Sequence, residues 1–230
     1  MLIIIVLVFF LTVCFFIVPP YSKYSESKYK EVSGNTFFQT IFDRGNYGEF
    51  LTFSYLEKLP GYHKILANVY LPKKDGSTTE IDLIMLAQSG IYVFESKNYS
   101  GWIFGDEKNK NWVQTLPNGE KNRFFNPIWQ NNGHINTLKT FIHKDNDRLY
   151  KSYIIFSERC TLKKMNVTSP NVKVIKRKSL LRSIKKDIET SLNIMTREEV
   201  DQLYSKLRKY TLVDNQVKKA HVDNVRMKRL

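Results

Sequence analysis

The 230-residue chain is short of cysteine and histidine, with two of the first and four of the second. Cys14 lies in an apolar run and Cys160 in the polar body, so no disulfide is expected and nothing asks for an oxidising compartment. His63, His134, His143 and His221 are isolated from one another and from the cysteines, which leaves no zinc-type spacing. No internal repeat is visible. Acidic residues are in deficit, 22 Asp and Glu against 36 Lys and Arg, for a net charge of +14. The imbalance is uneven: from Lys163 onward there are 18 basic and 7 acidic residues, and before it 18 and 15. A basic C-terminal third implies an anionic partner, either nucleic acid or an anionic membrane surface.

The N-terminal run lacks charged side chains altogether. Leu2 to Val18 is apolar except for Thr12. Seventeen residues at about 1.5 Å each span roughly 26 Å, enough for a bilayer core. There is no basic residue before the run and no small-residue cleavage site, so an uncleaved transmembrane helix ended by Pro19-Pro20 is expected. Lys23, Lys28 and Lys30 follow it, which predicts a single-pass cell-membrane protein with its soluble domain in the cytoplasm. The expected organisation is an anchor at 1–20, a juxtamembrane linker at 21–36, a domain at 37–190 and a basic helical extension at 191–230.

Within the domain, Tyr47, Leu51, Tyr55, Leu56 and Leu59 recur at helical steps and place Glu49 beside an apolar stripe. Residues 62–71 read as a strand. Asn98 to Val113 suggests further edge strands, with Trp102 and Trp112 assigned to the core. Pro127 opens a second helix as a first-turn residue, with Gln130 and His134 four apart on one face. Residues 153–157 and 172–175 read as buried strands. A helix is expected at 179–188, and Thr196 to Glu199 forms a capping box opening another. Helices alternating with strands predict an α/β fold with a mixed central β-sheet flanked by helices.

The most informative stretch is a hairpin, Glu80 to Lys97, with a turn near Gln88-Ser89-Gly90. Its charges sit only at the open end: Glu80 and Asp82 on one strand, Glu95 and Lys97 on the other. Pairing Asp82 with either Glu95 or Lys97 puts the three on one face, whereas pairing it with Ser96 would not, unless a bulge intervened. With that register Ile84, Leu86, Ile91 and Val93 share one face, and Ile81, Leu83, Met85, Tyr92 and Phe94 the other. Two carboxylates held together at a buried strand end repel unless a cation lies between them. Asp82 and Glu95 would hold Mg²⁺, with Glu49 ligating directly or through water, and Lys97 would orient a water or stabilise charge on a phosphorane. An ordinary salt-bridged strand end accounts for the same spacing.

In combination, Gly48-Glu49, Glu80-Ile-Asp82, the run Gly90-Ile-Tyr-Val-Phe-Glu-Ser-Lys-Asn-Tyr-Ser-Gly101, Trp112 and Asn126-Pro127-x-x-Gln130 resemble the NERD, or nuclease-related, domain. The resemblance is clear from Gly45 to Leu138 and fades toward Lys186. That family is placed in the PD-(D/E)xK superfamily, which implies a restriction-endonuclease-like fold and metal-dependent cleavage of DNA with Mg²⁺ or Mn²⁺. By motif position it implies Glu49, Asp82, Glu95 and Lys97 as catalytic, with Glu49, Asp82 and Glu95 on the metal and Gln130 supporting. Ser96 stands where a small aliphatic residue is common. The competing expectation is a catalytically silent nucleic-acid-binding or membrane-adaptor module that keeps the fold.

Overall fold

The computed structural model describes residues 1–73 and 75–227, without the side chains of 2, 3, 6–14, 16, 215, 222 and 224–227. The helices are α1 (Leu2–Glu26), α2 (Tyr29–Ser33), α3 (Phe37–Phe42), α4 (Arg44–Leu56), α5 (Pro127–Ile142), α6 (Leu180–Thr190), α7 (Arg197–Arg208) and α8 (Asn215–Met227). The strands are β1 (His63–Pro72), β2 (Thr78–Ala87), β3 (Gly90–Lys97), β4 (Gly101–Asp106), β5 (Asn111–Thr115), β6 (Lys121–Phe125), β7 (Tyr150–Phe156), β8 (Cys160–Asn166) and β9 (Val172–Lys176).

Five strands form one sheet in the order β1-β2-β3-β7-β9, antiparallel from β1 to β3 and parallel from β3 to β9. Four form a second sheet, β6-β5-β4-β8. The parallel neighbours β3 and β7 each run on, after a few residues, into the parallel neighbours β4 and β8. The two sheets are thus joined by a pair of strands that leave the first together. The mixed α/β character is as expected; the second sheet is not in the sequence reading, and neither are α2 and β8.

Both faces of the first sheet are covered. On one, Ile84, Leu86, Ile91 and Val93 pack with Ile135, Leu138 and Ile142 of α5 and Val200, Leu203 and Leu207 of α7. On the other, Leu83, Met85, Tyr92 and Phe94 pack with Phe50, Phe53 and Leu56 of α4 and Leu180 and Ile184 of α6. Ile81 corrects the face assignment, because it packs with Ile84 rather than with Leu83. The cause is local. Asn68 on β1 adopts φ +52°, a left-handed value that Asn tolerates, and the β1–β2 ladder passes from Ala67–Leu83 to Val69–Ile81 without pairing Asn68 to Asp82. Both strands exchange faces there.

A third core lies under the second sheet, where Ile103, Trp112 and Phe156 meet. Trp112 is 1% exposed and Gly105 leaves it room, since a Cβ there would lie 2.4 Å from Trp112 Cδ2. Trp102 corrects the core expectation. Ile103 takes the inward position on β4, so its neighbour faces outward and is 52% exposed, with Lys163 Nζ 4.8 Å from its ring centre.

At the N-terminus α1 does not stop at Pro19-Pro20 but continues to Glu26. Tyr21 and Tyr24 hold this last part against Phe37, with ring centres 5.2 and 5.5 Å apart. The 21–36 stretch is also packed, with Tyr24 and Tyr29 buried in the second core. Among the described residues, no helix is long and apolar enough to cross a membrane. Most side chains of the apolar run at 2–18, where the anchor is expected, lie outside those described.

Candidate functional site

The β2–β3 ladder runs from Ala87–Gly90 to Leu83–Phe94. The pairing stops at Leu83–Phe94, one residue short of Asp82 and Glu95, which follow at the open end of the two strands. Gly90 makes the turn possible: it has φ +134°, and a Cβ would lie 2.7 Å from the Leu149 carbonyl oxygen.

Glu95 is only 2% exposed, a costly place for a carboxylate unless it is paired. Its Oε1 accepts from Lys97 Nζ at 2.6 Å, and Lys97 Nζ also donates to Gln130 Oε1 at 3.0 Å. Its Oε2 lies 3.2 Å from His134 Nε2, close enough for an ion pair but not aligned for a hydrogen bond, so both atoms are buried without a hydrogen-bond partner. His134 Nδ1 is fixed by Thr79 Oγ1 at 2.8 Å. Burial pushes the Glu95 carboxyl up, but Lys97 and His134 outweigh it and hold it below its ordinary value. Burial pulls the Lys97 ammonium down, and Glu95 and Asp82 more than offset that, so its pKa lies above the usual lysine value.

Asp82 and Glu49 behave in the opposite way. Asp82 Oδ2 accepts from the Ser96 backbone N–H at 2.9 Å. Burial, then the charge of Glu95, raises its carboxyl well above the usual range, and Lys97 compensates only in part. Glu49 comes from α4. Burial raises it strongly, followed by Asp82 and the neighbouring Glu80 and Glu95, while Tyr29 OH touches its Oε2 at a long 3.5 Å. Both carboxylates keep part of their surface open to solvent.

Glu49, Asp82 and Glu95 therefore come near enough to perturb one another, and Lys97 and Gln130 join Glu95. The donor chemistry suits a hard divalent cation: the available atoms are carboxylate oxygens, and two of the groups resist ionisation without a cation beside them. They do not converge further, and among the described residues no group of three or more His, Cys, Asp or Glu side chains is disposed to hold a metal ion. His134 is isolated from the other histidines in sequence and carries only its i,i+4 spacing from Gln130 as a signal, yet the two side chains flank the Glu95–Lys97 pair. Tyr29 carried no such signal.

A family model described as the nuclease-related domain matches residues 44–157, from the first residue of α4 to the residue after β7. An uncharacterized protein of Bacillus anthracis is 34% identical over 180 residues, covering 78% of this chain and 82% of that protein. No solved structure matches.

Proposed function

Because the chain belongs to the nuclease-related domain family, we propose that it is a metal-dependent nuclease that hydrolyses phosphodiester bonds in DNA. The observation that supports this reading is the meeting at the β2–β3 strand ends of Asp82, held by the Ser96 backbone N–H, with a buried Glu95 bonded to Lys97. Glu49, Asp82 and Glu95 would hold Mg²⁺ or Mn²⁺, which when bound lowers the pKa of a water and screens phosphate charge. Lys97 supplies a fixed positive charge for the phosphorane, and Gln130 keeps its ammonium aimed. Thr79 holds His134 against Glu95, which limits rotation of that carboxylate. The apolar run at 2–18 would keep the chain at the cell membrane, with the domain in the cytoplasm as the following lysines favour.

The test incubates the full chain in detergent with plasmid and linear DNA, with and without Mg²⁺ or Mn²⁺, beside Asp82→Ala and Lys97→Ala. Divalent-dependent cleavage by the wild type alone is expected. Equal cleavage by all three proteins would refute the assigned site. The second reading is a binding module that keeps the fold without catalysis. DNA binding with no cleavage by any of the three would select it.

A further inference from the structure

Arg177, in the 3-10 turn Arg177–Ser179 that leads into α6, is a buried cation with no ion pair among the described residues. It is 4% exposed. Its Nε donates to Thr52 Oγ1 at 3.3 Å, and its Nη2 has no partner. Neither Glu49 nor Glu158 comes within ion-pair distance among the described residues. Glu158 is the acidic group that acts on it most, yet Glu158 is engaged by Lys176 at 3.6 Å, by Lys178 at 4.0 Å and by the Lys178 backbone N–H at 2.8 Å. An isolated buried charge costs several kcal/mol unless a counter-charge reaches it.

The surroundings show what that counter-charge must be. Thr52 Oγ1 donates its single proton to the Gly48 carbonyl at 2.9 Å, so it accepts both from Arg177 and from Ser96 Oγ at 3.2 Å. Arg177 is thereby tied to the residue between Glu95 and Lys97. Gly48 is buried and lets the guanidinium and Asn98 come close: a Cβ there would lie 3.6 Å from Arg177 Nη2 and 3.1 Å from Asn98 Cβ. Asn98 follows Lys97 and is held between two more arginines, donating to the Arg44 carbonyl at 2.7 Å and accepting from Arg159 Nη2 at 3.1 Å. The guanidinium thus lies beyond the carboxyl end of β3, where ligands of open α/β sheets bind, on the side away from Gln130 and His134.

We propose that Arg177, packed beside Gly48 at the β3 end, is a phosphate-binding residue that takes a non-bridging oxygen of the nucleic-acid backbone next to the bond to be cut. This rests on the nuclease reading for its substrate but not for its test, which is run in EDTA. The unpartnered Nη2 of a guanidinium is a charge-assisted donor suited to a phosphate oxygen. Ser96, unremarkable in the motif, acquires a role here as the relay to the catalytic strand.

The experiment compares the full-length wild type with Arg177→Met and Arg177→Lys in two arms, thermal denaturation with added inorganic phosphate and anisotropy of a short DNA duplex at several salt concentrations. For Arg177→Met we expect unchanged or higher Tm without ligand, since a costly buried charge is gone. Its DNA affinity should fall about tenfold, with a salt slope smaller by about one, and Arg177→Lys should be intermediate. Stabilisation by phosphate should be lost in Arg177→Met. A lower Tm with unchanged DNA affinity would overturn the proposal and make the arginine structural. Unchanged DNA affinity and salt slope would overturn it whatever the Tm. If phosphate stabilises only the wild type while no protein binds DNA, the anion site stands as one for free phosphate and the nucleic-acid reading fails.

Discussion

Removing the Lys97 ammonium should reveal how much of the site's order rests on one ion pair. In Lys97→Met the Glu95 carboxylate, 2% exposed, loses the donor 2.6 Å from Oε1 and keeps only the misaligned His134 at 3.2 Å. Breaking a buried pair from one side costs about 3–5 kcal/mol, and the lysine side chain is 16% exposed, which argues for the low end, about 3 kcal/mol. For a chain of this length that is a Tm lower by about 6–12 °C. The sign of the pH dependence follows from the direction of each shift. In the wild type Glu95 sits below its ordinary value, so its contribution is present above the unfolded pKa, about 4.3, and is lost as pH falls through the folded one. Without Lys97, burial prevails and the folded pKa rises above the unfolded value. The penalty is then present at neutral pH and disappears as pH falls through that raised value. Urea denaturation at pH 7.5 and pH 5 should therefore show the gap between wild type and variant narrowing on acidification. Adding Glu95→Gln should recover most of the loss, a coupling of about 2–3 kcal/mol in the double-mutant cycle. A single-mutant loss below about 1 kcal/mol, additive with Glu95→Gln and independent of pH, would refute the pair's importance.

Asp82→Asn and Glu49→Gln should behave in the opposite sense. Their folded pKa values are raised, so ionisation costs stability at neutral pH and that cost vanishes as pH falls through them. Each variant should match or exceed the wild-type Tm in EDTA and lose stabilisation by Mg²⁺, read by differential scanning fluorimetry. The two tryptophans on the second sheet should separate cleanly. Trp112→Ala removes a 1%-exposed ring and should cost about 3–5 kcal/mol, whereas Trp102→Ala, at 52% exposure, should stay within about 0.5 kcal/mol in the same urea titration.

What the sequence discloses here is local or periodic. The hairpin strands, the helix opened by Pro127 and the capping box at Thr196 and Glu199 appear where short-range patterns place them. Glu95, Lys97 and Gln130 meet because strand alternation and one helix start already fix their directions. Ile81 escapes the pattern because a single left-handed residue on the neighbouring strand, Asn68, inverts the alternation. Trp102 and Trp112 look alike in sequence; only the partner strand decides which one faces Phe156. His134 and Arg177 are single residues whose meaning comes from what they meet across 39 and 125 positions, at Glu95 and Thr52, and no spacing rule spans such distances.

The strands that leave the first sheet as a pair have a practical consequence for anyone cutting the gene. The family-matched segment, 44–157, ends one residue after β7, before β8 and β9 add to β4 and β7. A fragment with those borders would uncover two strand edges at once. It would also strip Tyr24, Tyr29, Leu180 and Ile184 from one core and Val200, Leu203 and Leu207 from the other. Open edges beside bared apolar faces are templates for aggregation. The recognisable segment is therefore a unit of ancestry and not of folding, and an inactive, insoluble fragment of that length would say nothing about the chemistry of the whole chain.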